Sequence, residues 1–427
     1  MSQRYIKSEK MLKNAENSIP LGTQTFSKSK TQFPYGVSPY FIERGDGCKV
    51  WDVDGNKYID FISSLAAVTL GYNDKDINNA VVNQLQKGVT FSLAHPIEAI
   101  LAKKIIEMVP SAQKVRFGKN GSDATAGAIR LARAYTKKDY ILYCGYHGWQ
   151  DWYIGATSMN KGVPEVIQKL TDSFIYNDID SLRNKFSVYK DQVAAVIIEP
   201  MNVNYPTSNF LDKVKDLTHK NKALLIFDET ITGFRLAKGG AQELFNVTPD
   251  ITTLGKGLAN GFPLSAIVGK SKFMKMIEEI FFSFTFGGET LSLAASLATL
   301  NKIQNQPVLE TIEMNGKFLI NEIKILIIKY SLEDYIDVSG HPSWSFLNFL
   351  PTLDIQKTKT FYMQEMMVNG ILCLGSHNLT YSHSKEDIVH LLQKYELFFS
   401  KLKQAIKKNN LSEYIQCDLI KPLFKVR

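Results

Sequence analysis

Three features of the sequence predict an α/β protein: a large domain whose mostly parallel sheet is covered by helices, and a smaller α+β domain. The first is a series of short apolar runs at residues 114–117, 140–143, 194–198, 223–227, 251–254 and 266–268. The second is the amphipathic helical pattern between several of them, including 124–137 and 211–220. Continuous apolar strands alternating with helices are the mark of a parallel sheet buried on both faces. The third is a change of pattern after Gly287, where long helical stretches take over.

Taken in order, residues 1–48 read as an N-terminal segment packing with the smaller domain. Residues 49–60, KVWDVDGNKYID, read as a hairpin turned by Asp54-Gly55 and flanked by Val50-Trp51 and Tyr58-Ile59. The large domain is expected over 49–300 and the small domain over 301–427. A single helical stretch is expected over 290–329, then strands at 335–338 and 345–350, and last helices over about 385–408.

Composition narrows the class. The chain has 427 residues, 44% hydrophobic and 22% charged, close to globular averages and unlike disordered, collagen-like or coiled-coil chains. No run of about 18 apolar residues is present, so no membrane span is expected. The first thirty residues are polar and lysine-rich, without the apolar core of a signal peptide. Cys48, Cys144, Cys373 and Cys417 are far apart and lack metal-ligand spacing, so no metal site is expected and a reducing, cytoplasmic setting is. The net charge of +8 is dispersed along the chain, which reads as a solvated basic surface rather than a nucleic-acid footprint.

Three positions in the α/β region carry chemistry. Gly121-Ser122-Asp123 opens a helix just after a strand, where unpaired N–H groups and the helix dipole favour an anion. Asp228-Glu229 ends the apolar run LLIF, placing a carboxylate at the sheet edge where open α/β sheets bind ligands. Lys256 stands between Gly255 and Gly257 after another strand, and a desolvated lysine amine is a nucleophile. Alone, each has a plainer reading: a helix cap at Ser122, a turn cap at Asp228, a solvated lysine at Lys256. Together and in this order, they supply a phosphate cradle, a partner for a ring nitrogen and an amine for an aldehyde. Those are the needs of pyridoxal phosphate.

The motifs FIERGDGCKVWDVDGNKYID, NGSDATAGAIRLARAYT, CGYHGW, IIEP, LLIFDETITGFR, DITTLGKGLANGFPLSAIVG and FTFGGETLSLAA lie in that order between residues 41 and 295. Through them the chain resembles the class III aminotransferases of the fold type I pyridoxal phosphate enzymes, and within these the branch of glutamate-1-semialdehyde 2,1-aminomutase. The resemblance implies a seven-stranded-type sheet and pyridoxal 5'-phosphate as cofactor. It implies Lys256 as the Schiff-base lysine, Asp228 as the acid on the pyridinium nitrogen, and Gly121 and Ser122 as the phosphate turn. Tyr146 matches the aromatic stacked on the ring, and Asn204 a polar residue near its phenolic oxygen. Thr285 matches a threonine that reaches the phosphate of a neighbouring subunit, which implies a homodimer with shared sites. Glu199, Arg235 and His147 are motif positions expected to serve structural or supporting roles.

Several positions depart from the aminomutase pattern. Lys28 replaces an arginine for the substrate carboxylate, and lysine is a point charge where arginine is a two-pronged fork. Leu65 replaces a tryptophan, and Glu289 an asparagine. The stretch 149–176 is shorter than the aminomutase's gating loop and carries Trp149, Trp152 and Tyr153. Lys28, Trp149 and Glu289 are therefore the candidate substrate residues. These changes imply retained cofactor chemistry and an altered substrate: an intermolecular aminotransferase with a donor such as glutamate. The FGGETLSLAA turn resembles that of relatives tied to surface-sugar biosynthesis, which implies a keto sugar acceptor. The aminomutase activity stays open, as do another pyridoxal phosphate chemistry, such as decarboxylation or racemisation, and a binding module on an inactive scaffold.

Overall fold

The computed structural model describes residues 3–421 of the chain. Two compact units are formed, one from 66–68 and 75–309, the other from 3–65, 69–74 and 310–421.

The unit containing 75–309 is built on a seven-stranded sheet. Its strands lie in the order Lys114–Gly118, Ser265–Gly269, Ile251–Leu254, Leu224–Glu229, Val193–Ile198, Tyr140–Cys144 and Thr171–Ser173. Ser265–Gly269 runs antiparallel to both of its neighbours, and the remaining pairings are parallel. Burial of every residue in Val193–Ile198 and Leu224–Glu229 explains why the first is apolar throughout and the second is apolar up to its closing acids, Asp228 and Glu229. Alternate residues serve opposite faces. Ile197 and Ile226 join a core with Ala128 and Leu131 of the helix Gly121–Thr136. Val196, Ile198, Leu225 and Phe227 pack with Leu182, Phe186 and Val214 on the other side. Thr171–Ser173 is a further strand that carries no apolar run of its own, since it reads TDS.

The expected helix over 290–329 is two helices, Thr290–Asn305 and Val308–Lys329. Pro307 lies between them. It has no N–H to donate and forces the residue before it out of helical geometry, and Gln306 is extended at φ −122° and ψ 157°.

The other unit holds a four-stranded sheet and a three-stranded sheet. In the first, Ile42–Asp46, Lys49–Asp52 and Lys57–Asp60 are antiparallel, and Ile371–Leu372 runs parallel to the third. The predicted hairpin turns at Asp54-Gly55, where the Asp52 carboxylate accepts the N–H groups of Asp54 and Asn56. The second sheet contains Ile336–His341, Trp344–Phe349 and Ser376–Asn378. The helices Ile355–Val368 and Lys385–Lys407 close this core through rings such as Phe361 and Phe398, 5.4 Å apart. No described helix is long and apolar enough to cross a membrane.

Candidate active site

The parallel strands end on one edge of the seven-stranded sheet, and the turns that follow them carry the predicted residues. Asp228 closes the strand Leu224–Glu229 and is buried. Its Oδ1 accepts from the Thr230 N–H at 3.1 Å, the Thr230 hydroxyl at 2.6 Å and the Thr253 hydroxyl at 3.0 Å. Thr253 reaches it because Asp228 and Thr253 are register partners in adjacent parallel strands. Oδ2 lies 2.8 Å from His147 Nδ1 and, with two lone pairs, has capacity for one further donor. Burial works to raise the Asp228 pKa, but His147 and the Thr230 donors outweigh it and hold the carboxyl below its ordinary value.

His147 follows the strand Tyr140–Cys144 and is buried, with Nε2 unpaired. Trp152 and Tyr153 enclose it at ring distances of 6.1 and 5.4 Å. Sequence reasoning gave His147 no role at the acid. Of the three aromatic residues noted in this stretch, Trp152 and Tyr153 are buried around His147, whereas Trp149 is 63% exposed. The stretch itself contains the short helices Asp151–Ile154 and Glu165–Gln168 as well as the strand Thr171–Ser173.

The helix Gly121–Thr136 is capped by Asn120, not Ser122. The Asn120 side chain accepts from the Asp123 N–H, and Asp123 Oδ2 accepts from the N–H groups of Lys119 and Asn120. This capping box leaves the first helical N–H groups, those of Gly121 and Ser122, without intrahelical partners. The Ser122 hydroxyl accepts from the Trp149 N–H at 3.3 Å. Gly148, at φ +102°, permits that approach, since a Cβ there would stand 2.2 Å from Ser122 Oγ.

Lys256 begins a single 3-10 turn after Ile251–Leu254, is partly buried, and has φ +45°. A lysine in the left-handed region is held there by its surroundings at a cost of roughly 1–3 kcal/mol. The preceding Gly255 closes the site. A Cβ on it would lie 3.3 Å from Thr230 Cγ2 and 3.9 Å from the Gly121 Cα, and a Cβ on Gly121 would meet Thr230 Cγ2 at 3.0 Å. Thr230 therefore touches the helix-start turn, the lysine turn and, by its hydrogen bonds, the Asp228 carboxylate. Anion-seeking N–H groups, a buried acid with spare acceptor capacity and the turn that carries Lys256 converge on Thr230. That set fits a phosphorylated pyridine aldehyde.

Tyr146 is half-buried, and its N–H donates to Glu199 Oε2 at 3.1 Å. Its ring stands edge-on to Tyr153 at 5.6 Å. Arg235 is fully buried, and burial pulls its pKa down to about 10. Asn204 and Thr285 are exposed, and among the described residues no hydrogen bond ties either to the Asp228 cluster. Glu289 accepts from Leu291 N–H, Ser292 N–H and the Ser292 hydroxyl, capping the helix Thr290–Asn305, and it pairs with Lys119. Lys28 and Leu65 belong to the other unit; Lys28 is exposed in the 3-10 turn Phe26–Lys28.

Residues 32–385 match the family Aminotransferase class-III. The chain is 32% identical over 415 residues to a 3-aminobutyryl-CoA aminotransferase of Cloacimonas acidaminovorans, covering 94% of this chain and 99% of that protein. It is 34% identical over 419 residues to a glutamate-1-semialdehyde 2,1-aminomutase of Aquifex aeolicus, covering 91% and 98%. Among solved structures, the FumI protein of Sphingopyxis sp. MTA144, determined with PLP, superposes with a TM-score of 0.88 at 27% identity over 94% of this chain and 98% of that one.

Proposed function

Because the chain belongs to the class III aminotransferase family, whose cofactor is pyridoxal phosphate, we propose that it transfers an amino group between separate molecules. The donor is an amino acid such as glutamate, and the acceptor is a carbonyl compound, with a keto sugar as the leading class. The observation that carries the chemistry is the convergence of the Gly121 turn, the Asp228 acid and the Lys256 turn on Thr230. The fold is that of the fold type I enzymes.

When bound, the cofactor supplies an electron sink for the carbon beside the migrating nitrogen. Gly121 and Ser122 hold its phosphate with their N–H groups. Asp228 Oδ2 keeps a proton on its ring nitrogen, and His147 orients that carboxylate. Tyr146 covers the ring, its backbone steadied by Glu199. Lys256 Nζ would hold the cofactor's aldehyde carbon and would serve as the base and acid that moves the proton at the donor carbon. Asn204 is the proposed partner of the ring's phenolic oxygen. Lys28 and Trp149 are the proposed substrate contacts. In a homodimer, Thr285 serves the phosphate of the partner's site.

Intermolecular transfer is favoured over the aminomutase reading by Lys28 and Leu65, which replace the residues expected for that substrate. A relative acting on a coenzyme A thioester supports including such acceptors. The test uses ¹⁵N-glutamate with panels of keto sugars, keto acids and acyl-coenzyme A carbonyl compounds, read by mass spectrometry. Label is expected in one acceptor, with ping-pong kinetics. Donor-independent isomerisation of glutamate-1-semialdehyde would overturn intermolecular transfer. Borohydride reduction of the holoenzyme is expected to fix the cofactor to the peptide containing Lys256; label on another lysine would remove that assignment.

A further inference from the structure

The segment from Phe281 to Glu289 is tied at both ends to the strand and helix that frame the Gly121 turn. At its start, Arg130 Nη1 donates to the Phe281 carbonyl at 2.7 Å and Arg116 Nη2 to the Phe282 carbonyl at 2.9 Å. At its end, Lys119 Nζ donates to Glu289 Oε2 at 2.9 Å. Lys119 immediately precedes the cap residue Asn120, and Glu289 is itself the cap of Thr290–Asn305. One ion pair thus joins two helix starts. Away from these hydrogen bonds the segment presents side chains to solvent: Phe281 is 81% exposed, Phe286 58%, and Thr285 is exposed as well, while Phe282 and Phe284 are partly buried.

The pair is shielded, with the Lys119 side chain 18% and the Glu289 side chain 14% exposed. Shielding reduces screening by salt and water, so it is stronger than an ordinary surface pair. Glu289 is also constrained by three further donors, so its carboxylate is fixed before Lys119 meets it. Burial acts to raise its pKa, but Ser292 and Lys119 outweigh that and hold it ionised. Loss of Lys119 would leave a fixed, half-buried anion close to the turn that receives the phosphate.

We infer that Lys119 and Glu289 form a latch that seats the 281–289 segment against the Gly121–Ser122 turn, making Lys119 a positioning residue for cofactor retention. Glu289 then acts through this pair and its helix cap rather than by touching substrate. The cofactor part of the inference rests on the reading of Gly121–Ser122 as the phosphate turn; the seating of the segment does not.

The four phenylalanines at 281, 282, 284 and 286 make chymotrypsin a direct reporter. Holoenzyme and stripped protein of the wild type, Lys119→Met, Lys119→Arg, Glu289→Gln and the Met/Gln double variant are digested, and cutting within 281–286 is timed by mass spectrometry. In parallel, pyridoxal phosphate retention is followed by absorbance during dialysis. Lys119→Met and Glu289→Gln are each expected to speed cutting about tenfold, with the double variant no worse than either, as coupled partners require. Lys119→Arg is expected to restore the wild-type rate, and cofactor loss should be faster in both single variants. Wild-type cutting rates in both single variants would overturn the latch, as would additive effects in the double variant. Faster cutting with unchanged cofactor retention would keep the latch and remove the phosphate-turn reading beneath it.

Discussion

At Asp228, burial and hydrogen bonding pull in opposite directions, and hydrogen bonding wins. A group held below its ordinary value contributes stability above the unfolded carboxylate pKa of about 3.9, lost as the pH falls through the lower folded value. The acid is therefore ionised throughout the neutral range. Removing His147 takes away the donor that lowers the Asp228 pKa most. His147→Ala should move the Asp228 pKa upward and carry the acidic limb of the kcat profile to higher pH. His147→Asn, which can still donate to Oδ2, should shift it less. A pH profile of kcat across both variants checks this, and superimposable profiles would disprove the role. Asp228→Asn keeps the shape and loses the charge. Its kcat should fall about 100- to 1,000-fold, the scale for losing one preorganised charge, with the cofactor still bound by absorbance. Near-normal turnover would mean that another group pairs with the ring nitrogen. Asp228 was legible in the sequence because an apolar strand that ends in an acid is a local pattern. The partnership with His147 was not, because 81 residues separate them and only the order of the strands brings them together. Thr253 escaped for the same reason, since register alone sets it opposite Asp228.

Among the elements, long apolar strands and the Asp-Gly hairpin could be read directly, while short ones could not. Ile371–Leu372 has only two residues and Thr171–Ser173 is polar, so pairing with a longer neighbour, rather than their own pattern, makes them strands. Apolar residues recur on both sides of Pro307, so the periodicity over 290–329 runs unbroken past the proline that separates the two helices. The helix Gly121–Thr136 differs by two residues from the plainer reading of its start: the cap is Asn120, not Ser122. That shift matters, because a cap at Asn120 leaves Ser122 inside the helix with its N–H outward. Asn120→Ala should cost about 1 kcal/mol of stability, the ordinary scale for a lost cap. It should also weaken pyridoxal phosphate retention, since the cap sets the angle of the N–H groups that follow. Asn120→Asp should recover the stability. Thermal melting with and without cofactor separates the two effects: a loss of stability equal in both states would show that the cap supports the helix but not the cofactor.

For the whole molecule, the open middle of the 281–289 segment is the feature a single chain does not account for. Phe281, Phe286, Phe91 and Leu93 are all strongly exposed in the same unit. The proposed occupant of this face is a second copy of the chain, with Thr285 serving its neighbour's phosphate. The competing account keeps Thr285 as a turn residue of its own chain. The two differ in how defects combine. Lys256→Ala disables the site in the chain that carries it. Thr285→Asp sets a negative charge against the phosphate of whichever site Thr285 serves. If that is the partner's site, a mixed dimer of the two variants has one site with both defects and one with neither. Random mixing under closed two-fold symmetry makes half the dimers mixed, so co-expression should restore roughly a quarter of wild-type activity. If Thr285 serves its own chain, every site in the mixed dimer has one defect. Activity would then stay at the level of the separate variants, and the shared site would be excluded. Sedimentation of the mixture must show dimers in both cases, and a monomeric protein with full activity would overturn the assembly itself.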